Sequence, residues 1–217
     1  MSAVFIAIGT LLMGFPFVIV GRRYGIPLWK CLVLTPILTV VGVVGTVLMF
    51  WVETGAYGTI GSSFYGAVFF VPPVFFLLAL LFRVPYGRLM DLCALGECAM
   101  LTMMRVNCLR SGCCSGRYLC TVAQVDVHFP SQIVEGVTVL VIAYVLWCWT
   151  VDYPHRRGQL YGWYLVLYGT TRFVLNFLRA EWQSPTRIPM GTVWSVIAVG
   201  LGALWLFLAA RRQRSNP

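Results

Sequence analysis

Arg105-Val106-Asn107-Cys108-Leu109-Arg110-Ser111-Gly112-Cys113-Cys114-Ser115-Gly116-Arg117 sets three arginines, three cysteines and two glycines within thirteen residues. The chain around it avoids charge: of its 217 residues 59% are hydrophobic and 11% charged. A soluble domain carries about 25% charged residues. Long apolar runs stand on both sides of the segment. The chain therefore reads as an integral membrane protein, and the segment as a polar junction between two of its helices. Fixed positive charge in such a place needs an anion to hold, and the phosphate of a lipid headgroup is the anion a bilayer offers.

Outward from that junction, seven apolar segments can be read: Ala3–Val20, Cys31–Trp51, Phe64–Phe82, Leu89–Met104, Ile133–Val151, Leu160–Leu178 and Gly191–Ala210. About 20 apolar residues span a bilayer core. The runs are continuous rather than alternating, which favours helices over a barrel. The expected fold is all-α: one transmembrane domain over residues 1–217, with seven transmembrane helices. Pro72-Pro73 predicts a kink in the third. The fourth is short and carries Asp91 and Glu97. No internal repeat is visible, which argues against a transporter built from repeat halves.

Charge bias predicts the orientation. Arg22, Arg23, Lys30, Arg83, Arg88, Arg156, Arg157, Arg211, Arg212 and Arg214 fall in one set of alternate loops; Arg105, Arg110, Arg117, Arg179 and Arg187 fall in the other. The richer set should face the cytoplasm, so the N-terminus is expected outside and the C-terminus inside. Arg22-Arg23 follow the first apolar run, the order of an anchoring helix and not of a cleavable signal. The Arg105–Arg117 segment then lies at the outer face, against the positive-inside rule. A net charge of +9 is explained by these loops, and no basic groove with interleaved aromatics points to nucleic acid. Trp29, Trp51, Trp147, Trp149 and Trp182 suit interfacial belts, so the aromatic content calls for no cofactor.

Tyr161, Tyr164, Tyr168, Arg172, Asn176 and Arg179 are spaced 3, 4, 4, 4 and 3 residues apart, which puts them on one face of the sixth helix. Arg172 lies well inside an apolar run, where a charge costs about 2.5–3.5 kcal/mol on insertion scales. It either pairs with Glu97, Asp91 or Glu135 as structural glue or contacts substrate. Gln132 and Glu135, three apart at the start of the fifth helix, either brace Arg105 or Arg172 or touch substrate themselves. Cys108, Cys113, Cys114 and Cys120 cluster in the expected outer segment, where disulfides persist. Three pairings are open to them, although adjacent Cys113 and Cys114 would strain to join each other. Their spacing is irregular for zinc and His128 is the one nearby histidine, so no metal site is expected. Cys31, Cys93, Cys98 and Cys148 read as small core residues.

With these residues in view, the chain resembles the prolipoprotein diacylglyceryl transferase family of bacterial inner membranes. Arg105–Arg117 is similar to that family's Arg-Ile-Gly-Cys-Phe-x-x-Gly-Cys-Cys-x-Gly variant signature. Pro130-Ser131-Gln132-Ile133-Val134-Glu135-Gly136 resembles its His-Pro-Ser-Gln-Leu-Tyr-Glu. Leu167-Tyr168-Gly169-Thr170-Thr171-Arg172-Phe173-Val174-Leu175-Asn176-Phe177-Leu178-Arg179 resembles its Leu-Tyr-Gly-x-x-Arg-Phe-x-x-Glu-Phe-x-Arg, and Ser63-Phe64-Tyr65-Gly66 stands where the family has Ser-Phe-His-Gly-Gly. Four departures are clear: Tyr65 replaces a histidine, Asn107 a glycine and Asn176 a glutamate, and His128 precedes the family histidine position by one.

The resemblance implies seven helices, N-terminus outside, and movement of a diacylglyceryl group from phosphatidylglycerol to the lipobox cysteine thiol of a preprolipoprotein. Arg105 and Arg172 would then stabilise the departing phosphate, with Arg179 helping near the interface. Gly112 and Gly116 would let the backbone approach the headgroup. Gln132, Glu135, Tyr168 and Asn176 would orient the arginines or the glycerol hydroxyls, and Tyr65 or His128 would be the candidate base. Two rival readings stand beside this one. The first is a membrane thiol–disulfide oxidoreductase using Cys108, Cys113, Cys114 and Cys120; the second is a non-catalytic relative that binds lipid or lipoprotein.

Overall fold

The computed structural model describes residues 3–55, 57, 61–122, 125–153, 156–179 and 190–215; Trp182 and Arg187, named above, lie outside them. Among the described residues there are seven helices: α1 (Ala3–Arg23), α2 (Leu28–Thr54), α3 (Tyr65–Phe82), α4 (Tyr86–Ser111), α5 (Ser131–Asp152), α6 (Leu160–Asn176) and α7 (Met190–Ser215). Six are long and apolar enough to cross a membrane. The exception is α6, whose 17 residues rise about 26 Å, short of a hydrocarbon core of about 30 Å.

The middle of the bundle is α4. Of its most apolar window 61% is buried, against 17–39% for the other five spans. That burial explains its two acids. Asp91 is fully buried and accepts the N–H groups of Gly158 (2.5 Å) and Leu160 (2.9 Å) and the Tyr24 hydroxyl (3.1 Å). A carboxylate there caps the N-terminus of α6, where the helix dipole favours negative charge. Glu97 meets the Tyr161 hydroxyl at 3.4 Å.

One sequence expectation needs correction. The fourth helix was expected to end at Met104, yet α4 runs to Ser111. Nothing in Arg105–Ser111 breaks a helix; Gly112 does, turning to φ 66° while its N–H caps the Cys108 and Leu109 carbonyls. Arg105, Cys108 and Arg110 therefore ride on the last turns of a helix and not in a loop. The all-α expectation holds, and the connection from α4 to α5 adds one antiparallel hairpin, β1 (Tyr118–Val122) paired with β2 (Val125–His128). Its β-branched and aromatic residues suit a strand.

The Pro72-Pro73 pair sits within a continuous α3. Pro72 has no N–H to give Val68, and the Tyr161 hydroxyl donates to the Val68 carbonyl instead at 2.8 Å. Neighbouring side chains commonly restore such bonds in membranes. Higher on α3, Gly66 lets α2 and α3 touch backbone to backbone: a Cβ on Gly66 would overlap the Gly45 carbonyl oxygen. Gly66→Val is therefore expected to cost about 3 kcal/mol or more, measured by unfolding in detergent. Gly42→Ala, whose methyl would meet Ala67 at an ordinary 3.8 Å, is the near-neutral control.

Candidate functional site

Three helix segments converge at one end of the bundle. The last turns of α4 bring Arg105, the first turn of α5 brings Gln132 and Glu135, and the C-terminal half of α6 brings Tyr168, Arg172 and Asn176. Glu135 is the hub. Arg105 Nη2 donates to its Oε1 at 2.8 Å, Arg172 Nη1 to its Oε2 at 2.6 Å, and the Tyr168 hydroxyl to Oε1 at 3.3 Å. The Glu135 side chain is 2% exposed and the two arginines 10% and 13%. Of the three acids that the sequence left open as partners for Arg172, the fold selects Glu135.

Two guanidiniums against one carboxylate leave the cluster at a formal charge of +1. Arg105 Nε is buried and has no hydrogen-bond partner among the described residues. Such a donor is costly unless an acceptor arrives, and an anion at the cluster would supply one. Arg179, 8% exposed, adds positive charge beside this group. Its backbone pairs with Gly116 in an isolated antiparallel bridge.

Gly116 is a three-way junction. Its N–H donates to the Phe129 carbonyl at 2.9 Å, and the next N–H, of Arg117, donates to Leu178 at 2.9 Å. A Cβ on Gly116 would meet the Phe129 oxygen at 2.6 Å and the Leu178 oxygen at 2.8 Å. These are backbone atoms that cannot swing aside. Gly116→Ala is expected to lower stability by about 1–3 kcal/mol and to loosen the loop that joins α4 to α5, which faster amide exchange at Arg117 and Phe129 would report.

The cysteine segment is tied to the opening of α5. Ser131 Oγ donates to the Cys114 carbonyl at 2.7 Å, and Gln132 Nε2 to the Cys113 carbonyl at 2.7 Å. All eight cysteines are free thiols. A hydrogen bond from Cys108, together with the charges of Arg179 and Arg105, lowers the Cys114 pKa to about 5 although partial desolvation of this solvent-facing thiol opposes it. Cys120 stands apart on β1, exposed and opposite Val127.

Other expected members fall outside the hub. Tyr65 is buried with its hydroxyl 2.6 Å from Ser195 Oγ on α7, and its ring lies 6.1 Å from that of Tyr168. Asn176 Nδ2 donates to Thr192 Oγ1 at 3.3 Å, also on α7. His128 is exposed on β2; its Nδ1 lies 3.3 Å from the Gly116 carbonyl and its ring stands edge-on to Tyr118. Arg110 stands over the Phe5 ring of α1, 5.9 Å from its centroid. Sequence reasoning missed Ser131 and Ser195. The first stood inside a quoted motif; the second is a lone serine in an apolar helix and carries no signal.

A multi-pass helical membrane protein with a buried cationic cluster at one end of its bundle is the class that this fold and site define. The family follows from comparison. The prolipoprotein diacylglyceryl transferase family model matches residues 3–208, so the chain belongs to that family of transferases. A phosphatidylglycerol–prolipoprotein diacylglyceryl transferase of Mannheimia succiniciproducens is 32% identical over 89 residues, which cover 39% of this chain and 33% of that protein. The match thus spans about a third of the relative's length.

Proposed function

We propose that the protein transfers the diacylglyceryl group of phosphatidylglycerol to the lipobox cysteine thiol of a preprolipoprotein, in the inner membrane of a bacterium. In this reading α6 is the seventh span, made short by its polar stripe. The N-terminus faces out, as the ten-to-five distribution of Lys and Arg between the two ends of the apolar segments predicts, and the arginine cluster lies in the outer leaflet.

The observation that carries the proposal is the joining of Arg105 and Arg172 on one carboxylate, with Arg105 Nε left for an incoming acceptor. As the acceptor thiolate attacks the glyceryl carbon, the carbon–oxygen bond to phosphate breaks and negative charge gathers on the phosphate. Guanidiniums already fixed in a dry site stabilise that charge without reorganising. Glu135 holds both in place, Tyr168 steadies the carboxylate, and Gln132 holds the cysteine loop above them.

The test is mass spectrometry of a lipobox peptide incubated with the purified protein in phosphatidylglycerol vesicles. A mass gain equal to one diacylglyceryl group is expected, with glycerol phosphate released. Binding of the lipid with no gain would favour the non-catalytic reading. Tyr65 favours that second reading to one extent: it replaces the family histidine, and its hydroxyl is engaged by Ser195.

A further inference from the structure

The three cysteines of the central segment make no contact with Glu135, yet the fold gathers them. The sulfurs of Cys108, Cys113 and Cys114 all lie within 4.8 Å of one another. Two left-handed residues bring this about. Gly112 at φ 66° ends α4, and Cys114 at φ 60° turns the chain again. The Cys113 N–H donates back to the Cys108 carbonyl at 3.2 Å. A non-glycine residue in that region costs about 1–3 kcal/mol and persists only where its surroundings impose it. Here the surroundings are the Ser131 and Gln132 side chains, which clamp the carbonyls of Cys114 and Cys113 from α5.

The chemistry of the trio is that of a soft metal. Zinc takes thiolate sulfurs at about 2.3 Å in a tetrahedron, which sets them about 3.8 Å apart. Cys113 and Cys114 are both exposed, which leaves their side chains room to rotate toward that spacing. Catalytic zinc sites supply three protein ligands and keep the fourth position open. Three thiolates on a divalent ion carry a net charge of −1. Arg105, one helical turn before Cys108 on α4, gives that charge a counterion.

We propose that Cys108, Cys113 and Cys114 form a three-thiolate zinc site whose fourth position takes the thiol of the acceptor cysteine. The second half rests on the diacylglyceryl-transfer reading. A thiol that coordinates a metal is deprotonated outright, so its proton passes to water on binding and no side-chain base is needed. This accounts for the absence of a histidine at position 65. The bound sulfur then uses its lone pair to form the bond to the glyceryl carbon. The carbon–oxygen bond breaks, and glycerol phosphate leaves with that electron pair beside Arg105 and Arg172. Zinc changes no oxidation state and no redox partner is required.

The experiment loads the reduced, detergent-purified full chain with zinc or with cobalt(II). One metal per chain is expected, and the cobalt form should show thiolate charge-transfer absorption and tetrahedral ligand-field bands. Cys108→Ser, Cys113→Ser and Cys114→Ser should each weaken binding by at least about tenfold, while Cys148→Ser should not. A lipobox peptide should shift the ligand-field bands, and the same peptide with serine for cysteine should not. No stoichiometric uptake by the reduced wild-type chain overturns the site, as does uptake indifferent to all three substitutions. A Cys108–Cys113 or Cys108–Cys114 disulfide in protein isolated without reductant, with no uptake after reduction, overturns it equally. Metal that binds without any response to the peptide overturns the open fourth position. Transfer that persists in chelated, metal-free protein sinks the metal's role and leaves the reaction standing; metal and peptide binding without transfer sinks the reaction and leaves the site.

Discussion

Arg172→Ala is expected to abolish diacylglyceryl transfer, with a loss of at least 10²–10³-fold in kcat, the scale seen when one preorganised donor to a developing oxyanion is removed. The fold should survive. Without Arg172, Glu135 still accepts from Arg105 at 2.8 Å and from Tyr168 at 3.3 Å, so one positive and one negative charge remain paired. The cluster falls from a formal +1 to zero, and the attraction for an anionic headgroup falls with it. Arg172→Lys should recover part of the activity, since charge returns but the planar fork that holds the carboxylate does not. Transfer to a lipobox peptide in phosphatidylglycerol vesicles measures both variants. Wild-type rates in Arg172→Ala would remove the phosphate-stabilising role.

Glu135→Ala should do the opposite kind of damage, striking the fold before the chemistry. Arg105 and Arg172 would lose their shared carboxylate and face each other as like charges, each at least 87% buried by side chain. Removing one partner of a buried ion pair costs about 3–5 kcal/mol, because the other charge is left uncompensated. The expected result is a large drop in unfolding free energy in detergent, together with loss of transfer. Glu135→Gln keeps the shape and one acceptor oxygen, so it should lie between Ala and wild type in stability. A double variant, Arg172→Ala with Glu135→Ala, should be more stable than expected from adding the single effects, because it removes one of the two stranded charges. Strict additivity would show that the triad is not one energetic unit.

These two predictions separate roles that the sequence left joined. The periodicity of Tyr161 to Arg179 already placed Arg172 on a polar helical face, and the insertion cost of a mid-helix arginine already demanded a partner. Neither could choose among Asp91, Glu97 and Glu135, since all three are acids in or beside apolar runs. The choice was made by where the helices stand. Asp91 is taken by the N-terminus of α6 and Glu97 by Tyr161, while the first turn of α5 delivers Glu135 between α4 and α6.

The candidate base shows the converse. His128 was attractive because it was the one histidine near the segment. It lies on a β-strand that strand propensity allowed but membrane hydropathy, which reads helices, did not register. Tyr65 did arrive beside Tyr168, but with its hydroxyl held by a serine of α7 that no motif announces.

The sequence alone determined that this is a helical membrane protein, that three of its arginines stand at one junction against the charge bias of the rest, and that Arg105, Glu135 and Arg172 lie in or beside its apolar runs. It could do so because hydropathy and helical spacing are properties of each segment taken singly. Only the tertiary structure decided that α4 carries its arginine and first cysteine out to Ser111, that one carboxylate joins two helices' guanidiniums, and that three irregularly spaced sulfurs meet. Those outcomes depend on backbone reversals at Gly112 and Cys114 and on packing between helices far apart in the chain, where spacing along the polymer carries no distance in space.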